Sequence, residues 1–446
     1  MHRRPRAAST RAARARESSS RGTNACEDHS PLLGHALDSS CMGDGRTVLS
    51  AGEHPEDLAD LASRHRDAFR ETFQGTGEVR LFFSPGRVNL MGAHLDYNGG
   101  AVMPTAIDRG TLLGVRARED GRVRLATTHA PEGFEASLDR LPRERTGSWV
   151  DYPIGVIRQL RGEAREPVGF DLLVGGNLPI GAGLSSSASV TVGTAVALDA
   201  LWNLRAEPRR LIAAALFAER EFVGVHCGIM DPFAVLLSRP AHLLWIDCTD
   251  EVVEHLPFGA AGEVRIAVAD TGVRRELARG AFNERVAECA RAFEFLRLHQ
   301  DGARCLAEIR PETLEQHAGS LDANVFARAQ HVVSEVARTE DARKALLDGD
   351  LARFGGNMTA AHTSLRDLFE VSVPELDHLV DRALEWDGVL GTRLTGAGFG
   401  GCIVVLLTAE ACNGFEAHLG STYRKAFGRE IDVRFFGGGG GPRELP

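Results

Sequence analysis

The stretch that most constrains this chain is Gly175-Gly-Asn-Leu-Pro-Ile-Gly-Ala-Gly-Leu-Ser-Ser-Ser-Ala-Ser189. It follows a short apolar strand pattern, Phe170–Val174, and runs into Val190–Leu201, an apolar, alanine-rich segment that reads as a buried helix. Gly181 and Gly183 permit a tight turn and close backbone approach, and the hydroxyls of Ser185, Ser186 and Ser187 sit where the helix begins. A glycine-rich loop opening a helix offers free N–H groups and the positive end of the helix dipole to an anion, for which phosphate is the obvious guest. No Gly-Lys-Ser/Thr follows the glycines, so this is not a Walker A loop. Taken alone, the stretch also reads as an ordinary Gly/Ser loop with a serine helix cap.

The 446 residues suffice for about two to three domains with sizeable cores. No run of 18 or more apolar residues exists, which argues against a transmembrane helix. The formal charge of −10 argues against non-specific nucleic-acid binding. Residues 1–41 carry seven Arg against four acids, so the remainder is more acidic still. Eight cysteines (Cys26, Cys41, Cys227, Cys248, Cys289, Cys305, Cys402 and Cys412) are scattered with no Cys-x-x-Cys pair and no secretory signal. That pattern fits free thiols in a reducing cytoplasm, not a disulfide framework or a zinc site. Lys344 and Lys425 are the only lysines, which reads as the codon bias of a GC-rich genome.

In chain order, residues 1–45 are Arg-, Ser- and Ala-rich and are expected to be disordered, whether as a transit peptide or as sequence upstream of a true start at Met42. Helix is predicted for 54–74, strands for Val79–Ser84, Gly110–Ala117 and Arg122–Thr127, and a helix beginning within Trp149–Gln159. A helix over 207–224 leads to Cys227–Phe233, then to a strand pair at His242–Asp247 and Val264–Ala269. Helices follow at 282–300, 311–317, 324–348, Phe354–Phe369 and Val373–Glu385, with a strand–loop–strand across Val389–Leu407. Near Glu263 the pattern shifts from α/β to mainly helical, which places a domain boundary between 78–262 and 263–436. Gly437–Gly441 marks 437–446 as a flexible tail.

Two more stretches change the reading of the glycine loop: Ser84-Pro-Gly-Arg-Val-Asn-Leu-Met-Gly-Ala-His-Leu-Asp-Tyr-Asn-Gly-Gly100 and Gly391-Thr-Arg-Leu-Thr-Gly-Ala-Gly-Phe-Gly-Gly-Cys402. All three, in this order, resemble the motifs of the GHMP small-molecule kinases, and specifically the galactokinase branch, over roughly 78–408. The resemblance implies a two-domain α+β fold, with an N-terminal α/β domain like that of ribosomal protein S5, a C-terminal α/β domain, and the ATP site between them. It implies an ATP-dependent sugar 1-kinase acting on a galactose-configured sugar with Mg2+. Partners would be the sugar and ATP, without nucleic acid or membrane, and the enzyme would be a cytoplasmic monomer or homodimer.

Residue by residue, the resemblance makes Asp231, in Cys227-Gly-Ile-Met-Asp-Pro232, the general base that takes the anomeric proton, with Arg87 beside it. A guanidinium favours a charged carboxylate and stabilises charge on a transferring phosphoryl group. Without the family, Asp231 before Pro232 is only a good turn starter and Arg87 one arginine among many. Pro179, Gly181, Ala182, Gly183, Leu184, Ser185, Ser186, Ser187 and Ala188 would hold ATP, and Ser187 and Glu219 the metal. Glu219, with Glu221 nearby, otherwise reads as part of a solvated helix face. His94 and Asp96 would bond sugar hydroxyls, with Gly228, Ala93 and Phe282 also at the sugar.

The match fails at two points. Galactokinases carry Gly-Glu-His-Thr-Asp-Tyr where this chain has Gly92-Ala-His-Leu-Asp-Tyr97, and Ala93 cannot bond a 6-hydroxyl as the missing Glu does. A family Tyr near the domain junction appears here as Phe282. A 6-carboxylate would be tolerated by Ala, and these segments are similar to galacturonokinases; Arg274, Arg275 and Arg285 are then the candidate counter-ions. L-Arabinose, which lacks carbon 6, would also fit. A sugar-sensing regulator without catalysis is the alternative from another class, although Ser185–Ser189 and Asp231 are intact.

Overall fold

Alternating apolar residues and short turns build the first half around one sheet. The computed structural model describes residues 57–179, 183–225, 227–258, 263–274 and 278–446, so the disorder expected of 1–45 falls outside it. Helix α1 (Leu58–Thr72) is followed by β1 (Arg80–Asn89), β2 (Ala101–Val102), β3 (Pro104–Arg118), β4 (Arg122–Thr127) and β5 (Ala130–Ser137). Then come α2 (Asp151–Arg161), β6 (Gly169–Gly176), α3 (Ser186–Trp202), α4 (Pro208–Phe217) and α5 (Met230–Leu237). A hairpin of β7 (His242–Asp247) and β8 (Val252–Pro257) precedes β9 (Val264–Asp270).

The second half holds α6 (Ala278–Leu296), α7 (Pro311–Gln316), α8 (Ala323–Leu347), α9 (Leu351–Asp367) and α10 (Pro374–Leu384). It closes with β10 (Val389–Thr395), β11 (Cys402–Thr408), α11 (Phe415–Phe427), β12 (Asp432–Phe436) and β13 (Arg443–Leu445). Three sheets result among the described residues, in the orders β13-β1-β3-β6-β4-β5, β10-β11-β9-β12 and β2-β7-β8. Strand pairs are antiparallel except β4 with β6. No described helix is long and apolar enough to cross a membrane. The six described cysteines are free thiols.

The cores follow from the sequence patterns. In α10, Leu376, Leu379, Val380 and Ala383 recur at helical spacing and are all buried, with Pro374 in the first turn. The strand before the glycine loop buries Phe170, Leu172 and Val174 against Ile154, Ile157 and Leu160 of α2. Each such side chain contributes roughly 1.5–3 kcal/mol on burial. Helix α3 crosses β1 and β3 at Gly193, where a Cβ would lie 2.5 Å from Leu113 and 2.8 Å from Ser84. That close approach sets the depth at which the loop in front of α3 meets β1.

Three expectations need correction. The helix expected over 207–224 changes form: α4 ends at Phe217 and a π-helical turn covers Ala218–Val223. Ala218 packs so closely on α2 that a Cβ on Gly155 would come within 2.6 Å of it, and the wider turn carries Glu219 inward. The strands at 242–247 and 264–269 do not pair with each other: β7 pairs with β8, and β9 lies between β11 and β12. The Asp247 carboxylate accepts from the amides of Thr249 and Asp250, which turns the chain back early. The tail is also held: Gly437 N–H donates to Asp108, Gly439 N–H to Ala106 O, and β13 pairs with β1 through Leu445 and Leu81.

Candidate active site

Three elements converge on one carboxylate. Arg87 sits near the end of β1, just past a register shift between Pro85 and Arg87. Its Nε and Nη2 lie 2.8 and 2.6 Å from Asp231 Oδ1, in the first turn of α5. Its Nη1 donates to Gly183 O at 2.7 Å, and its backbone N–H to Leu184 O at 3.1 Å. The other oxygen, Asp231 Oδ2, accepts from Ser185 Oγ at 2.5 Å. Ser185 caps α3 with φ of 57°, a left-handed conformation that costs a non-glycine residue about 1–3 kcal/mol and recurs at ligand sites. The side chain of Arg87 is 9% exposed and that of Asp231 24%, so the carboxylate opens outward while its partner stays enclosed.

Two further carboxylates surround this pair. Glu219 is buried on the π turn; Ser187 Oγ donates to it at 3.2 Å and Thr191 Oγ1 at 3.4 Å. Burial first, and then the charge of Asp231, pushes Glu219 up to about 7, which the two hydroxyls and Arg87 oppose. Burial and the charge of Asp231 likewise push Asp96 up to about 6, against Arg87. Gly228 packs on Asp96: a Cβ there would sit 2.1 Å from Asp96 Oδ2. Glycine at 228 is what lets this carboxylate stand where it does. Among the described residues, no group of three His, Cys, Asp or Glu side chains could hold a metal ion on its own.

The first motif presents His94 from a strained backbone, φ 61°. Its Nδ1 lies 2.9 Å from Tyr97 Oη, and its ring stands 4.6 Å from Phe369 and 6.0 Å from Phe282. Burial lowers the imidazole well below its usual range, so it is neutral. Whichever tautomer forms, Nε2 keeps an unused donor or acceptor, and that atom is buried without a partner among the described residues. Phe282 stacks edge-on to Tyr97 at 5.6 Å. Ala93 is 5% exposed, with its N–H 3.1 Å from the Glu335 carboxylate.

Of the three arginines considered as counter-ions, Arg285 donates to Phe369 O, Glu370 O and Glu288, and Arg274 to Asp270. Arg275, like Gly181 and Ala182, lies outside the described residues. The third motif turns between β10 and β11, with Phe399 N–H donating to Val371 O. Pro179 and Leu184 line a smaller cavity against β9 and β12, with Asp270 and Arg434. Ala188 is buried on α3.

Sequence reasoning missed a cavity of about 320 Å³ lined in part by Leu178, Ser186 and Ser187. Trp149, Tyr152, Val174 and Val190 line it together with Ser186 and Ser187. A largely apolar cavity that includes hydroxyls from the start of α3 suits a base whose phosphates continue to the helix N-terminus. The signal was present in Trp149-Val-Asp-Tyr152, an aromatic pair opening α2.

Comparisons with known proteins place the chain in a family. The GHMP kinases N terminal domain matches residues 151–239, the galactokinase galactose-binding signature 67–117, and the GHMP kinases C terminal domain 342–422. The chain is 39% identical to a galactokinase of Fusobacterium nucleatum over 366 residues, covering 81% of this chain and 94% of that protein. It is 40% identical to one of a Roseiflexus species over 367 residues, 82% and 93% of the two chains. The structure of Lactococcus lactis galactokinase complexed with galactose superposes with a TM-score of 0.81 at 35% identity, over 87% of this chain and 100% of that one. A mevalonate kinase shares the fold with a TM-score of 0.59 at 20% identity. The chain belongs to the galactokinase family of the GHMP kinases, and it has the α+β fold and the ATP-dependent sugar kinase chemistry of that family.

Proposed function

We propose that this enzyme transfers the γ-phosphoryl group of ATP to the anomeric hydroxyl of D-galactose, giving α-D-galactose 1-phosphate and ADP. The observation that carries the reading is Asp231, held between Arg87 and Ser185 at the mouth of the glycine loop. The anomeric O–H gives its proton to Asp231 as its oxygen bonds to the γ-phosphorus, and the bond from that phosphorus to the β,γ-bridging oxygen breaks. The bridging oxygen leaves with the electron pair on ADP. Arg87 lies close enough to Asp231 to stabilise the charge that spreads over the transferring group. The N–H groups at the start of α3 hold the phosphates, and the Trp149–Tyr152 cavity takes the base.

Mg2+ fits the residues present. Glu219 is a buried carboxylate with no cationic side chain bonded to it among the described residues, beside the Ser187 hydroxyl, and both are hard oxygen donors. Those two residues would hold the ion together with phosphate oxygens and water, where it neutralises charge on the triphosphate. Asp96 and the unpartnered Nε2 of His94 are the sugar contacts, while Ala93 and Phe282 leave carbon 6 without the polar contacts of the family. Galacturonate is the second reading: of its three candidate counter-ions, Arg274 and Arg285 are engaged with other groups and Arg275 lies outside the described residues. Residues 78–262 and 263–436 are the proposed domains, and the free thiols fit a cytoplasmic enzyme.

The test is ATP consumption by purified protein with D-galactose, D-galacturonate and L-arabinose side by side. Highest kcat/KM on galactose is expected. Preference for galacturonate would transfer the assignment to that sugar, and turnover with none would overturn the reading.

A further inference from the structure

The run that carries the sugar motif is gripped from the far side by Glu335 and His331, which none of the motifs contains, and by Arg393 of the third motif. Glu335, on α8, has no exposed surface, and its Oε1 accepts from two successive amides, Gly92 N–H at 3.2 Å and Ala93 N–H at 3.1 Å. Its other oxygen accepts from Arg338 Nε at 2.8 Å, one turn further along the helix. One turn earlier, His331 brings Nε2 to 3.3 Å from Ala93 O and Nδ1 to 2.8 Å from Ser364 Oγ. Burial pushes this imidazole down to about 3, so it is neutral. Arg393 on β10 is buried and donates to Leu90 O at 2.8 Å and Asn89 O at 2.6 Å. The main chain from Asn89 to Ala93 is therefore tied at four residues, immediately before His94 adopts its left-handed φ of 61°.

We propose that Glu335 is a positioning residue for the sugar site: by holding the Gly92 and Ala93 amides it fixes the backbone that aims His94 and Asp96. The physical argument is one of alternatives. Two adjacent N–H groups buried without an acceptor are costly, so the loop that loses Glu335 rearranges to satisfy them. The residue nearest that rearrangement is His94, whose strained φ persists only while its surroundings enforce it. The base cavity is lined by residues of β3–β6, α2 and α3, and among the described residues Glu335 makes no hydrogen bond to any of them. Loss of the carboxylate should therefore act on the sugar and spare the nucleotide. The proposal rests on the sugar reading of His94 and Asp96 given above.

Two conservative variants test it without removing the side chain. Glu335→Gln keeps an acceptor at the same reach, whereas Glu335→Asp withdraws it by one methylene, too far to serve both amides. In Glu335→Asp, KM for galactose should rise about tenfold or more while KM for ATP stays within about twofold; in Glu335→Gln, the sugar KM should stay within about threefold. An unchanged sugar KM in Glu335→Asp, or sugar and ATP KM rising together, would overturn it. Amide hydrogen exchange over residues 89–98 in ligand-free protein gives a second readout. Exchange should be faster in Glu335→Asp and near wild type in Glu335→Gln; equal protection in all three proteins would refute the clamp. Because that measurement needs no sugar, it decides the clamp even if wild-type enzyme turns over no galactose, an outcome that would sink only the substrate reading.

Discussion

Arg87 and Asp231 meet asymmetrically: two guanidinium nitrogens converge on Oδ1, at 2.8 and 2.6 Å, while Oδ2 is left to the hydroxyl of Ser185 at 2.5 Å. The asymmetry divides labour within one carboxylate. One oxygen is fixed by charge, and the other makes a single exchangeable hydrogen bond where an incoming hydroxyl can replace Ser185.

Removing that carboxylate should affect chemistry more than binding. Asp231→Ala is expected to lower kcat by at least ~100-fold, as for a lost general base, with KM for ATP little changed. Steady-state kinetics with both substrates varied checks it, and near-wild-type turnover would take Asp231 out of the mechanism.

Glu219 makes a pH-dependent prediction whose sign follows from its raised value of about 7 against an ordinary 4.5. The folded state binds the proton more tightly than the unfolded state, so this group's contribution is fully present below pH 4.5 and is lost as pH rises through 7. The loss is on the order of 3 kcal/mol at most. Ligand-free Glu219→Gln should therefore gain Tm over wild type at pH 8, and the difference should shrink towards pH 5. A difference independent of pH would show that Glu219 is not held in this state.

Gly228 should not tolerate a side chain. A Cβ 2.1 Å from Asp96 Oδ2 forces that carboxylate aside. Gly228→Ala is expected to cost about 1–3 kcal/mol of stability through overpacking. It should also raise the sugar KM with little effect on ATP; thermal denaturation and the ratio of the two KM values report on each part.

Position 93 tests the carbon-6 reading. Ala93→Glu should raise kcat/KM for galactose by about tenfold relative to 6-deoxygalactose, since a carboxylate there gains a bond only when the 6-hydroxyl is present. An unchanged ratio would mean that position 93 does not face carbon 6.

Much of this was legible in the chain because the signals are local. The glycine loop between an apolar strand and an apolar helix announced its turn and its anion site. The spacing of Leu376, Leu379, Val380 and Ala383 marked α10. Strand β8 was not legible, because Val252-Val-Glu-His-Leu-Pro257 lacks clean alternation and its pairing is set by the Asp247 turn. Glu219 looked like a solvated helix position, since nothing in Ala218-Glu-Arg-Glu-Phe222 signals a π turn that carries it inward. Gly437–Gly441 looked flexible because its partners, Asp108 and Ala106, are more than three hundred residues away. Glu335 was equally hidden: its bond to Ala93 spans 242 residues, and no motif contains it.

The most direct test combines product identity with the key variant. Wild-type protein and Asp231→Ala are incubated with ATP, Mg2+ and D-galactose, and the phosphorus and proton NMR spectra are followed. Wild type should convert galactose to α-D-galactose 1-phosphate with one ADP formed for each sugar, and the variant should form it at least ~100-fold more slowly. Phosphate on another carbon, ADP without sugar phosphate, or equal rates in the two proteins would contradict a 1-kinase that works through Asp231.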